Sequence, residues 1–252
     1  MTAFSAPEIP PTLAFSSTTL IEVPRSVRRA AVRPLVEVIG SPSFLDCAVV
    51  AAQNYEESSQ NCETSSRSRL VGAMASKYGL GEKKVGSFAQ LLAKMDESAL
   101  SEVQSLSRAP GLAEERIAET LCRYRKLGCR LLAVAPSSIV SSEAHRQLLK
   151  SAGLYDEIDD FVGSDAWEQA NPFEIMADFG KKDSALTYVT DSFGSWRQAM
   201  NNSWVAQAVL VRPSIYRKSA TQLIKRTSGG TERAVIIDRL VQPCDMLPPA
   251  IQ

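Results

Sequence analysis

The chain has 252 residues, 44% of them hydrophobic and 22% charged, with 28 Lys and Arg set against 28 Asp and Glu. That length can bury a full core, as one large domain or a domain with an insertion, and the composition is that of an ordinary globular protein. The balanced charge leaves no net field for nucleic acid or an acidic membrane surface, and no apolar run approaches the roughly 18 to 20 residues that cross a bilayer.

Met1 to Pro11 lacks the basic start and apolar core of a signal peptide. Cytoplasm is therefore the expected compartment, or an organelle lumen if a targeting peptide was removed before residue 1. The five cysteines, at 47, 62, 122, 129 and 244, are odd in number and form no CxxC pair, which predicts reduced, buried thiols. Thr12-Leu-Ala-Phe15 then reads as a short strand ending in a hydroxyl-rich loop, Ser16-Ser-Thr-Thr19.

From Pro24 to Ala109 the pattern is helical, without a strand signal. Val32, Leu35, Val36 and Ile39 repeat at i, i+3, i+4, as do Phe44 to Ala52 and Leu70 to Tyr78, with breaks at Ser41-Pro42-Ser43 and Gly79-Leu-Gly81. Arg25, Arg28, Arg29 and Arg33 fall near one helical face and could dock a phosphate or an acidic partner, although a solvated face is the commoner use.

Residues 112 to 127 predict an amphipathic helix stopped by Gly128. Leu131 to Ala135 predicts a strand that breaks into Pro136-Ser-Ser138, and Ser141 or Ser142 can cap a following helix, with Leu148, Leu149 and Ala152 facing the core and Gly153 ending it. Phe161-Val162 is a short strand, Phe173 to Phe179 a helix, Leu186 to Thr190 a strand, and Ala208 to Arg212 another. Ser219 to Thr227 reads as helix, Gly229-Gly230 as a turn and Ala234 to Ile237 as the sixth strand. Strands alternating with helices predict a Rossmann-like parallel sheet with helices on both faces, and ligands sit beyond the carboxyl ends of such strands. Asp191 stands at such an end.

Gly128-Cys-Arg-Leu-Leu-Ala-Val-Ala-Pro-Ser-Ser138, His145-Arg-Gln-Leu-Leu149, Ala152-Gly-Leu154, Asp159-Asp-Phe-Val-Gly-Ser-Asp165, Asn171-Pro172 and Thr190-Asp-Ser192 follow one another as in the haloacid dehalogenase-like hydrolases. The chain most resembles the branch with a helical cap, which includes phosphoglycolate phosphatase and β-phosphoglucomutase. The resemblance implies a core formed by residues 1–23 and 110–252 and a cap formed by 24–109, with Pro110-Gly111 leading into the post-cap helix and Ala234 to Asp238 as the last strand.

The resemblance also implies the chemistry, which rests on an Asp nucleophile, a second Asp as acid/base, a hydroxyl for the phosphoryl group, a Lys, and acids for Mg²⁺. Anchoring the first motif on Thr19-Leu20 puts Phe15 and Ser17 at the two Asp positions, and anchoring it on Phe15 puts Ser16 and Thr18 there. Either way both carboxylates are missing. The hydroxyl position falls on Ala135 or Pro136, with Ser137 as a substitute. Asn171 stands for the Lys, whose charge Lys181 or Lys182 could replace, and the second acidic position of the fourth motif is Ser195. Asp191 remains as a weakened Mg²⁺ ligand or a loop cap.

Three readings follow. The first is a catalytically degenerate binding or structural subunit with a protein partner or a second copy. The second is a divergent phosphatase-like hydrolase or other enzyme that reuses the cleft with Ser16 or Ser17 and Asp191. The third is a sensor that binds a phosphorylated small molecule without turning it over. Ser16, Ser17, Thr18, Thr19, Ser137 and Ser192 could form an anion pocket with Asn171 nearby, although capping and turn roles are the expected ones. His145, the only histidine, is expected at a surface or half-buried helix position away from the strand ends. Solvation is expected for the acidic run Asp156 to Asp160, and core packing for Trp167, Trp196 and Trp204.

Overall fold

A computed structural model describes residues 11–58, 72, 76, 88–106, 116–135, 138–163, 176, 186–211 and 234–237. Its strands are β1 (Thr12–Ser16), β2 (Arg130–Val134), β3 (Asp160–Val162), β4 (Leu186–Thr190), β5 (Val205–Val211) and β6 (Ala234–Ile237), in one sheet of order β3-β2-β1-β4-β5-β6. Every neighbouring pair is parallel. Parallel strands in mid-sheet are covered on both faces, which is why every residue of β1 and β4, and of β2 after Arg130, is buried, the threonines and Ser16 included.

Side chains alternate across that sheet and divide the core in two. Leu13, Phe15, Leu131, Ala133, Val189, Val209 and Val211 belong to one buried cluster. Ala14, Leu132, Val134, Leu186, Tyr188, Ala208 and Leu210 belong to the other, with Trp196 and Ala199 of α7 (Phe193–Asn201). The Trp196 indole N–H donates to the Ala208 carbonyl at 3.0 Å, so this tryptophan packs in the core, as expected. Trp204 is only partly buried against the same cluster.

The chain leaves β1 through a single helical turn, α1 (Ser17–Leu20), followed by α2 (Arg25–Ile39), a 3₁₀ turn at Pro42–Phe44, α3 (Leu45–Ser58) and α4 (Phe88–Ser105). α2 packs on α4, α4 meets α6 (Ser142–Ser151), and α3 touches α7 beyond the carboxyl end of β4. Val27, Ala31, Leu35, Leu91, Met95 and Ala99 share one continuous cluster with Leu13 and Phe15 of the sheet.

Two helices stop on the predicted glycines. After α5 (Ile117–Lys126), the Gly128 amide donates to Arg125 and that of Cys129 to Tyr124, and Gly128 has φ +82°. α6 ends in the same pattern at Gly153, φ +70°, through Lys150 and Leu149. These paired bonds satisfy the last helical carbonyls, and the left-handed conformation they require favours glycine. Ser141 caps α6 by accepting from the Ala144 amide.

Gly163 is needed for space. A Cβ there would stand 2.6 Å from Ser142 Cβ and 2.8 Å from the Phe161 ring, so β3 lies too close to the first turn of α6 for any side chain. Gly163→Ala should lose about 1–3 kcal/mol of stability through forced repacking. The check is a urea midpoint against wild type.

Three expectations change and a fourth is extended. The segment Ser16 to Thr19 is the end of β1 running into helix α1 instead of a loop. Of the free thiols, Cys129 is buried and burial raises its pKa, but Cys47 is exposed. The acidic run keeps its expected solvent exposure at Asp156 and Asp159, with Glu157 and Asp160 half-buried, but it is also paired: Glu157 and Asp159 face Arg125, Asp160 pairs with Arg130, and Asp159 accepts the Leu131 amide at 2.8 Å. His145, expected at a surface or half-buried helix position, is fully buried. Ser137, Asn171, Lys181, Lys182, Trp167, Pro110-Gly111, Leu112, Ser219 to Thr227, Gly229-Gly230 and Asp238 lie outside the described residues, as do Leu70 to Tyr78 apart from the helical Gly72 and Ser76, and the helix Phe173 to Phe179 apart from the buried, helical Met176.

Candidate functional site

In this strand order the chain reverses its direction of winding between β1 and β4, and a ligand crevice opens beyond the carboxyl ends of the strands at such a point. Thr18 follows β1 and Asp191 follows β4. They meet across the crevice, the Thr18 hydroxyl donating to Asp191 Oδ1 at 2.6 Å. The Ser16 hydroxyl lies 2.8 Å from Thr18 Oγ1. A threonine has one proton to give, and the carboxylate takes it, so Ser16 donates to Thr18. The result is a chain of hydroxyls in series, Ser16 to Thr18 to Asp191. Thr19 turns back to donate to the Ser16 carbonyl at 2.7 Å.

Phe15 points away from this crevice. Its ring packs 6.4 Å from that of Tyr124 inside the core. Ser17 also faces inward, its hydroxyl 2.9 Å from His145 Nδ1. Of the two registers open in the sequence, the structure therefore leaves Ser16 and Thr18 on the crevice side and Phe15 and Ser17 on the core side.

Ser17, His145 and Ser138 form a second hydroxyl network, buried behind the first. Ser138 Oγ accepts from the Val140 amide at 3.0 Å, donates to the Val140 carbonyl at 3.1 Å, and lies 3.4 Å from His145 Nε2. With the Ser138 proton on that carbonyl, the imidazole proton is assigned to Nε2 from the bonding pattern, and Nδ1 accepts from Ser17. Burial and then the nearby Arg28 guanidinium lower the His145 pKa to about 3. The ring is therefore neutral at physiological pH.

This arrangement supplies Ser17 with the neighbouring base that the sequence did not reveal, yet it does not make a nucleophile. Ser17 and His145 are both 0% exposed, so no substrate atom reaches the hydroxyl. The third group on the imidazole is Ser138, while Asp191 belongs to the other network, so no Ser-His-Asp triad assembles. Periodicity held the missing signal. His145 stands three and four residues before Leu148 and Leu149, on the face of α6 already assigned to the core.

Ser192 caps α7, accepting from the Ser195 amide at 3.3 Å, and its own amide donates to Thr190 at 3.1 Å. Tyr188 is held above its ordinary pKa, chiefly by burial and also by the charge of Asp191, while hydrogen bonds to Thr190 and Ser195 act the other way. Asp191 is exposed and is the one carboxylate among the crevice groups named here. Among the described residues no three His, Cys, Asp or Glu side chains converge on a metal position. A Mg²⁺ ion takes one or two carboxylates besides waters and substrate phosphate. Asp191 alone, with Oδ1 already bonded to Thr18, does not fit as a dedicated Mg²⁺ site. No described helix is long and apolar enough to cross a membrane.

No family model matches the sequence, and neither does any curated protein. Among solved structures, the chain is similar to one described as a haloacid dehalogenase-like hydrolase from Bacteroides fragilis, with TM-score 0.54 and 16% identity over 92% of this chain and 99% of that one. It is similar also to a predicted phosphoglycolate phosphatase from Haemophilus somnus, with TM-score 0.53 and 10% identity over 82% and 87%. A phosphatase structure from Clostridium difficile gives TM-score 0.52 and 12% identity over 80% and 85%. At such identities the likeness carries architecture and not activity. With this strand order and these likenesses, the chain has the haloacid dehalogenase-like fold.

Proposed function

We propose that the protein is a catalytically degenerate member of the haloacid dehalogenase-like hydrolases that acts as a non-hydrolysing binding or structural subunit. The observation that carries this reading is the series Ser16 to Thr18 to Asp191. Where the resembling enzymes place a nucleophile and an acid/base, this chain has two neutral hydroxyls tied to each other and to the remaining carboxylate. A hydroxyl needs a base to attack phosphorus at neutral pH. The one imidazole is spent on Ser17, sealed from the crevice.

The test is phosphate release from a panel of phosphoesters by the purified protein with Mg²⁺. No release above buffer is expected. Turnover that disappears in Asp191→Ala and in the Ser16→Ala/Ser17→Ala double variant, but persists in a variant of exposed Lys150, would overturn the proposal in favour of a rebuilt hydrolase.

A further inference from the structure

Arg25 and Arg29 of α2 both reach the same oxygen of Asp46 on α3, at 3.1 and 3.5 Å. Two guanidinium groups on one carboxylate leave a positive charge in excess, and exposed Arg33 continues the stripe about two turns along from Arg25. The ion pairs stand in solvent, with the Arg25 and Asp46 side chains 69% and 53% exposed.

Asp46 also opens an exposed stripe on α3. Cys47, Val50 and Ala51 share that outer face at helical spacing, while Ala48, Val49 and Ala52 turn inward. Val50 is 48% exposed, and Leu127 is the other large hydrophobic exposed among the described residues. Asp46 and Val50 are one turn apart, about 6 Å between Cβ atoms. A cationic cluster thus adjoins an apolar strip on the surface of a pair of packed helices.

We propose that this surface docks an acidic amphipathic segment of a partner protein, with carboxylates on Arg25, Arg29 and Arg33 and an apolar side chain on Val50. Charge complementarity selects this occupant. The local excess is one or two charges within a chain of zero net charge. Nucleic acid is held by neutralising many phosphates, and anionic bilayers by clusters of roughly four to eight basic residues. A second copy related by a two-fold axis would set one arginine cluster against the other. An amphipathic helix, read through anchors at i and i+4, needs only a few such contacts.

The experiment uses the full chain and a labelled helical peptide carrying Glu and Leu at i, i+4 spacing, with a Lys-for-Glu version as control. Binding of the Glu peptide is expected to weaken as salt rises and to shift amide resonances at 25–33 and 46–51. Affinity should fall about tenfold or more in Arg25→Glu/Arg29→Glu and also in Val50→Asp, with the circular dichroism of both variants unchanged. Equal binding by those variants, shifts elsewhere, no binding, or equal binding of the Lys peptide would overturn the proposal. So would a Val50-dependent dimer in sedimentation, or RNA or phosphatidylserine vesicles binding through these residues in place of the peptide. The result is independent of phosphate release, so either proposal can fail alone.

Discussion

Acidification from about pH 7.5 to about pH 5 is expected to cost the folded protein about 2 kcal/mol through His145 alone. The imidazole has a pKa of about 3 in the native state, against the ordinary histidine value of 6.5. The unfolded chain therefore binds a proton that the native state refuses. This contribution to stability is fully present above the unfolded pKa and is lost as pH falls below it, until the native ring protonates as well. At about pH 5 the unfolded value has been passed by about 1.5 units, each worth about 1.4 kcal/mol.

As the only histidine, His145 contributes a single imidazole Cε1–H signal to the proton spectrum of the folded protein. That signal should not move between about pH 8 and pH 5. Movement with a midpoint near the ordinary histidine value would mean a solvated ring and a broken Ser17–His145–Ser138 network. His145→Leu should flatten the pH dependence of urea midpoints over this range. At neutral pH it should also lower stability by about 1–3 kcal/mol, because the Ser17 hydroxyl loses its partner in the core.

Trp196→Ala should be the most damaging single core change on the α7 side of the sheet. The side chain is 0% exposed and joins β4, β5 and α7 in one cluster. Truncating a buried tryptophan costs about 3–5 kcal/mol through lost transfer energy and the remaining cavity, a large share of the roughly 5–15 kcal/mol that holds a typical domain together. Trp196→Phe fills much of the space but leaves the Ala208 carbonyl without its donor, so a loss of about 1 kcal/mol beyond the packing change is expected. Denaturant midpoints of the two variants separate the contributions. Equal midpoints for Ala and wild type would show that α7 does not hold this face.

The strand ends were legible in the sequence, because a parallel sheet buried on both faces writes itself as short apolar runs with breaks at the carboxyl side. Leu186 to Thr190 and Asp191 show this directly. Gly128, Gly153 and Ser141 were legible for the same local reason, each meeting a helix-end requirement that involves only its immediate neighbours. The hydroxyl pairings were not. Ser17 and His145 are 128 positions apart and Thr18 and Asp191 are 173 apart, and no local pattern encodes which distant residue each hydroxyl meets. The choice between Ser16 and Ser17 at the crevice follows from Phe15, whose ring commits alternate residues of β1 to opposite faces. The ion pairs of the acidic run near β3 are not legible in the sequence, because its arginine partners, Arg125 and Arg130, come from another segment.

The unbroken packing from Met95 through Phe15 has a mechanical consequence. A cover that swings on a hinge must part from its base along a seam that is wet or weakly bonded. Here the side chains of α2 and α4 belong to one apolar cluster with those of the sheet, and every 100 Å² of apolar surface pulled open would cost about 2.5 kcal/mol. Rigid-body opening of that helical pair is thereby made rare. Amide protons of α2 and β1 should exchange together and only through global unfolding, so that these two segments behave as one cooperative unit.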